Sequence, residues 1–195
     1  GVTPTSQAIC TPNDALYTVN IGQIQGYTDP VTLSLLGHPA GTTAAFAPNP
    51  VTPPGSSTLT IGNTGAAASG SYLLEVTGTA PTSTHTTQVS LDVFTTAPGT
   101  PSLLTPPDGA TDVSLAPTLT WNPAGDSQTY ALEVATDAGF SNVVYTASGI
   151  AGTQHTLATP LTPLTPYFWH VRAANACGDG SYSAPFTFTT ADIPP

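Results

Sequence analysis

The side chains of this 195-residue chain that could carry acid–base, nucleophilic or metal chemistry are few: two cysteines, four histidines, eleven carboxylates and one basic residue, Arg172. Cys10 and Cys177 could form a disulfide or act as thiols. His38, His85, His155 and His170 are scattered, with no i, i+4 pair and no carboxylate at a ligand spacing. Structural zinc calls for paired Cys/His spacings, so these histidines read as solvated or edge-strand residues and no metal ligand is assigned. Asp108, Asp112, Asp126, Asp137 and Asp179 all fall in turn-like contexts, where Asp caps and Asx turns need no ligand. A weak calcium site built from such loops is the one cofactor left open, although no D-x-D-x-D run supports it. Serine and threonine are so abundant that a hydroxyl near a histidine is expected by chance, and no G-x-S-x-G elbow occurs. No catalytic residue is assigned, and the chain is expected to be non-catalytic.

Charged residues make up 6% of the chain, where a soluble domain carries roughly 25%. With one Lys or Arg in all, several phosphates cannot be neutralised, which argues against nucleic acid and anionic membrane surfaces as partners. No apolar run approaches the ~18 residues that cross a bilayer. The sequence opens at Gly1 without an initiator Met, a basic n-region or an apolar h-region. The expectation is a piece of a longer secreted protein, with any signal peptide removed or outside it.

Strands must position these residues. Thr, Val, Tyr and Phe suit a pleated, half-buried surface, and the 21 prolines interrupt helical spacing throughout. Alternating or apolar segments recur between turn residues: a short strand before Cys10, then Ala15–Ile24, Val31–Leu36, Thr58–Ile61, Tyr72–Val76 and Val89–Phe94. After a Pro/Gly joint come Thr118–Trp121, Tyr130–Ala135, Val143–Thr146, His155–Leu157, Tyr167–Ala174 and Pro185–Thr189. About seven short strands per ~95 residues is the pattern of an immunoglobulin-like or fibronectin-like sandwich. The predicted organisation is all-β: an Ig-like sandwich over 1–96, a linker over 97–101, and a fibronectin type III-like sandwich over 102–195. Such sandwiches are filled by their cores, so no deep cleft is expected.

The second half resembles a fibronectin type III domain. The stretch Leu161-Thr162-Pro163-Leu164-Thr165-Pro166-Tyr167-Phe168-Trp169-His170-Val171-Arg172-Ala173, with Asn175, Gly178, Gly180 and Ser183 downstream, fits the family's L-x-P-x-T-x-Y-x-x-x-V-x-A pattern. The resemblance implies that Tyr167 is a tyrosine corner whose hydroxyl bonds back to the preceding crossover. Tyr167, Trp169, Val171 and Ala173 then face inward, Phe168, His170, Arg172 and Ala174 outward, and Trp121 fills the core from the opposite sheet. The first half is similar to the Ig-like modules that accompany bacterial secreted peptidases. That likeness rests on Val31-Thr32-Leu33, the turn Gly37-His38-Pro39-Ala40-Gly41, the crossover Phe46-Ala47-Pro48-Asn49-Pro50-Val51, and Gly70-Ser71-Tyr72. The pairing of the two modules resembles the C-terminal accessory region of reprolysin-like zinc metallopeptidases, with subtilisin-like peptidases as the second choice. No H-E-x-x-H occurs here, so the resemblance puts any peptidase activity in a catalytic domain upstream, which would be the chain's partner.

In a seven-strand sandwich the A–B turn lies at the end from which the chain leaves, and the F–G loop at the end where it enters. Cys10 precedes the first such turn and Cys177 sits in the second such loop, so a Cys10–Cys177 disulfide across the joint is one reading. Two free thiols, or pairing with parts of the parent protein, are the others. Phe168, Tyr182, Tyr145 and Tyr27 are the aromatic residues that could contact a protein or polysaccharide, although such rings more often pack across strands. Arg172 is expected to contact a cross-strand neighbour such as Glu133, worth ~0–1 kcal/mol. The sequence thus reads as a monomeric, extracellular accessory region, with a polysaccharide- or protein-binding module or an adhesin repeat as alternatives.

Overall fold

The structure is a computed structural model and describes residues 1–23 and 25–192. The chain divides into two compact units, Gly1–Thr96 and Ala97–Pro195, and each is a β-sandwich. In the first unit the strands are β1 (Val2–Thr3), β2 (Ser6–Cys10), β3 (Ala15–Ile21), β4 (Thr32–Leu36), β5 (Thr43–Ala47), β6 (Gly55–Gly62), β7 (Gly70–Ala80) and β8 (Ser83–Phe94). One sheet runs β1-β3-β6-β5 and the other β2-β8-β7-β4. The leading segment therefore serves both sheets: β1 pairs antiparallel with β3, and after Pro4 the chain pairs parallel with β8 as β2.

Period-two alternation decides what each sheet buries. Ala15, Tyr17 and Val19 of β3 point inward against Leu74 and Val76 of β7 and Val89, Leu91 and Val93 of β8. Leu16, Thr18 and Asn20 face out. The Tyr17 hydroxyl donates to the Ser90 carbonyl at 2.8 Å, a hydrogen bond from one sheet to the other, and burial together with the nearby Asp92 carboxylate pushes this phenol up to about 12. The crossover after β5 closes the β4 edge. Asn49 Oδ1 accepts from the Leu33 N–H and Asn49 Nδ2 donates to the Leu33 carbonyl, both at 2.9 Å. One side chain thus makes the pair of bonds that a neighbouring strand residue would make.

Element limits differ from the sequence expectation for local reasons. β3 ends at Ile21, and the last residue of the expected Ala15–Ile24 segment lies outside the described residues. Val31 makes an isolated bridge to Val51 instead of opening β4. β5, with three alanines in five residues, carries little strand signal of its own and is held by β6. β8 begins six residues before Val89, because Thr84 and Thr86 pair with Thr79 and Thr77 of β7. A run of hydroxyl residues without alternation reads as a loop, yet β-branched threonines extend readily once a partner strand is present.

The second unit holds β9 (Ser102–Thr105), β10 (Ala110–Val113), β11 (Thr118–Asn122), β12 (Thr129–Ala135), β13 (Val143–Ile150), β14 (Gln154–Thr156), β15 (Pro166–Asn175), β16 (Gly178–Asp179) and β17 (Phe186–Thr190). The larger sheet runs β10-β17-β15-β12-β13 with β16 added beside β15, and the smaller runs β14-β11-β9. Trp121 from the smaller sheet and Trp169 from the larger are both fully buried, among Leu119, Leu132, Val171 and Phe188. The Trp121 and Tyr130 rings lie 5.5 Å apart, and Trp169 meets Phe186 edge to face. Tyr167 is buried and its hydroxyl accepts the Thr162 N–H at 3.1 Å. The segment 97–101 belongs to this unit, where Gly99 N–H donates to the Gly125 carbonyl.

The expectation of two filled sandwiches fails in the first unit. A cavity of about 650 Å³ opens between the sheets of the first unit.

Candidate functional site

The residues with the most chemistry meet on the outer face of the larger sheet of the second unit. Register puts Glu133 of β12 directly opposite His170 of β15, and Ala131 opposite Arg172. His170 Nε2 lies 2.9 Å from Glu133 Oε2. Both faces of the imidazole are covered. The Phe140 ring lies parallel to it at 3.5 Å between centroids, and the Tyr182 ring stacks on the other side at 3.7 Å. Arg172 continues the column, its guanidinium carbon 4.9 Å from the Tyr182 centroid and its Nη2 2.7 Å from Asp179 Oδ2.

Local sequence explains how Phe140 reaches this position. The loop between β12 and β13 folds around Asp137, whose carboxylate accepts the N–H groups of Gly139, Ser141 and Asn142 at 3.0, 3.1 and 2.8 Å. This turn leaves Phe140 in the left-handed region, φ 53°, a conformation that costs a non-glycine residue roughly 1–2 kcal/mol and that the aromatic contact offsets. The bonds from Ser141 and Asn142 hold the Asp137 carboxyl below its ordinary range.

The electrostatics follow from packing. Burial lowers the His170 pKa, and the hydrogen bond and charge of Glu133 oppose this without overcoming it. Partial burial by itself would raise the Glu133 carboxyl; hydrogen bonds from His170 and Tyr182, with the positive charges of the cluster, outweigh it and hold the group low. Burial raises the Tyr182 phenol, and Glu133 raises it further. At neutral pH the pair is therefore a neutral imidazole donating its Nε2–H to a carboxylate. Acidification should weaken this unit, and the sign is fixed by the two shifts. The unfolded chain takes up a proton at His170 near its ordinary pKa of ~6.5, where the folded chain resists it, so stability falls as pH drops below that value. Glu133 adds a second loss as pH falls through the carboxylate range, since its folded pKa is the lower one. A melting-temperature series from pH 7.5 to 4 should show both; His170→Gln should flatten the upper part and also reduce the lower one, because Glu133 then loses the charge that helps hold it low. Equal slopes in the two proteins above pH 5.5 would overturn the assignment.

Two sequence expectations are corrected here. His170 is not a solvated residue of the outer face: it is 8% exposed, because Phe140 and Tyr182 cover it. Arg172 pairs with Asp179, not Glu133, since β16 brings Asp179 alongside β15 and the register assigns Glu133 to His170. Phe168 and Tyr182 are half-buried, as are Tyr27 and Tyr145. Tyr145 is hydrogen-bonded to His155 Nε2 at 2.7 Å. No aromatic residue is among the exposed large apolar side chains of the described residues, which are Leu and Val, such as Leu36, Leu73 and Leu164. Phe140 was not singled out in the sequence, although Asp137-Ala138-Gly139-Phe140-Ser141-Asn142 carries the signal of an Asx-capped turn that presents a ring.

Among the described residues no three His, Cys, Asp or Glu side chains converge to hold a metal ion. Neither cysteine is free: Cys10, at the end of β2, and Cys177, in the turn between β15 and β16, are both disulfide-bonded. Thiol titration in denaturant should accordingly detect no thiol before reduction and two per chain after it; two before reduction would contradict the bond.

No family model matches the chain. Its fold is similar to that of the FN1–FN3 domains of chicken CNTN1, with 15% identity, 97% of this chain and 66% of that chain covered, and a TM-score of 0.58. Domains A168–A170 of titin match with 18% identity over 96% of this chain and 62% of that one, TM-score 0.46. An Fn3-like protein from Clostridium thermocellum matches with 22% identity over 50% of this chain and 95% of that one, TM-score 0.37. A 34-residue segment is 56% identical to the ephrin type-A receptor 4-A of Xenopus laevis. It covers 17% of this chain and 3% of that far longer receptor. The first of these likenesses, together with the two sandwiches themselves, assigns an all-β fibronectin type III/Ig-like fold.

Proposed function

We propose that the chain is a non-catalytic spacer and positioning region of a secreted bacterial enzyme, most closely fitting a peptidase. The observation that carries this reading is the state of the reactive side chains in the second unit. His170 has both ring faces covered and its Nε2 engaged by Glu133, Tyr182 is stacked, and Arg172 is paired. These groups brace one another, and none of the three stands as a free base beside a nucleophile. The disulfide-bonded cysteines support an oxidising, extracellular setting, and a Cys10–Cys177 pairing is part of this reading. No described helix is long and apolar enough to cross a membrane. The peptidase association rests on the turn and crossover chemistry of Gly37–Gly41 and Phe46–Val51. Its partner would be the catalytic domain of the same polypeptide.

The reading frame around this sequence tests the proposal. An H-E-x-x-H on a helix upstream is expected, whereas a run of further ~95-residue sandwiches in its place would favour an adhesin. A polysaccharide- or protein-binding module is the second reading, carried by the half-buried rings of Phe168 and Tyr182. It predicts co-sedimentation with an insoluble ligand, lost in Phe168→Ala or Tyr182→Ala.

A further inference from the structure

The edge strands of the first sandwich are not alike. On β4 the Asn49 carboxamide occupies both hydrogen-bonding groups of Leu33. β5, at the edge of the other sheet, has none of the devices that keep an edge strand from pairing. Its residues, Thr43-Ala44-Ala45-Phe46-Ala47, include no charge and no proline, and they pair with β6 one for one, without a bulge. Among the described residues β6 is its only strand partner. One row of its backbone N–H and C=O groups is therefore left for water or for another strand.

Register gives β5 two different faces. Ala44 and Phe46 stand opposite Ile61 and Leu59, which are fully buried, so both point between the sheets. Phe46 packs against the core, whereas Ala44 points the same way and is exposed. Beside them an open groove of about 520 Å³ runs between β4 and β5, with Leu33 and Leu35 on its other wall. Thr43, Ala45 and Ala47 face outward, opposite Gly62, Thr60 and Thr58.

This pattern of sizes complements itself. When two β5 strands run antiparallel about a two-fold axis at Ala45, each Phe46 stands directly opposite Ala44 of the second copy. The ring of one copy then enters the groove of the other at the point where a methyl group leaves room. No carboxylate lies on β5 or lines the groove, so two chains of net charge −10 meet there without like charges at the contact. We infer that two copies of this chain associate reversibly through β5, joining their β1-β3-β6-β5 sheets across that axis. A contact built on one short strand falls below the ~1,200 Å² of a stable interface, so the monomer expected from the sequence is the dilute state. The inference stands or falls apart from the spacer reading.

Sedimentation equilibrium of the intact chain over a range of concentrations tests this. The weight-average mass should rise from that of the monomer toward that of the dimer, with Kd on the order of 0.1 mM. Ala45→Lys and Ala45→Glu each place like charges opposite one another at the axis, and each alone should weaken association at least fivefold. Ala45 is exposed on the outer face, so both variants should keep the melting temperature of the parent. An equimolar mixture of the two should associate at least as tightly as the parent, because Lys then stands opposite Glu while the summed net charge is unchanged. A parent still monomeric at about ten times the expected Kd would overturn the inference. So would undiminished association of either variant alone, or a mixture that associates no more tightly than its components.

Discussion

Trp169→Ala is expected to destabilise the second unit by about 3–5 kcal/mol, the range for removing a large aromatic side chain from a close-packed core. Total stabilities of single domains are only ~5–15 kcal/mol, so the variant should be partly unfolded in mild denaturant. Trp169 is fully buried, meets Phe186 edge to face, and lies on the inner side of β15 between Tyr167 and Val171. No small rearrangement can fill the space that an indole leaves when the neighbours are held in a regular ladder with β12 and β17. The measurement is simple because both tryptophans of the chain, Trp121 and Trp169, belong to this unit. In the variant, Trp121 alone reports its unfolding by fluorescence. A urea midpoint within experimental error of the parent would show that Trp169 is not the core residue described here.

That tryptophan was legible in the sequence, and the reason is instructive. Pro166 to Ala173 combines a strict inward alternation with a crossover rich in proline, so a single stretch specifies strand, face and corner together. Trp121 was legible for the same reason, as the one large residue in a short alternating strand. The cluster around His170 was not, because it depends on register. Alternation says that Glu133, His170 and Arg172 all face outward, but not which carboxylate stands opposite which base. A shift of two residues along β12 would place Ala131 or Ala135 against His170 with the same alternation. Phe140 escaped for a different reason: its role depends on the three N–H bonds to Asp137, a tertiary consequence of loop geometry. The open end of the first sandwich escaped as well, since small inward residues announce a gap only when the opposing sheet is known.

The scarcity of charge bears on the edges of both sandwiches. Proteins commonly guard an edge strand with lysine, and this chain has none. On β4 the guard is instead the Asn49 carboxamide, which occupies both hydrogen-bonding groups of Leu33. On β13 two irregularities in the register with β12 interrupt the ladder, and such bulges twist an edge away from flat pairing. Outward threonines keep the faces wet and retain strand propensity. An exposed sheet can therefore remain protected with almost no charge, provided that polar side chains and irregular backbone take over the task.

Gly37→Ala should be the most damaging small substitution in the first unit, with an expected loss of about 3–5 kcal/mol from backbone strain and overpacking combined. Gly37 has φ 83°, and a Cβ there would fall well inside contact distance of the Leu73 carbonyl oxygen. That oxygen belongs to β7, which is paired with β4 just before the turn through Leu36 and Glu75. Relief would require moving one strand against its neighbour, because a backbone oxygen cannot rotate aside as a side chain would. Gly109 supplies the control. It has φ 77°, but a Cβ there meets nothing within 4 Å, so Gly109→Ala should lose only the conformational part, roughly 1–2 kcal/mol. Amide hydrogen exchange in the parent and both variants separates the two units and measures each loss. A Gly37→Ala loss no larger than that of Gly109→Ala would mean that the turn can lift from β7, and that the glycine is required there for its dihedral angle alone.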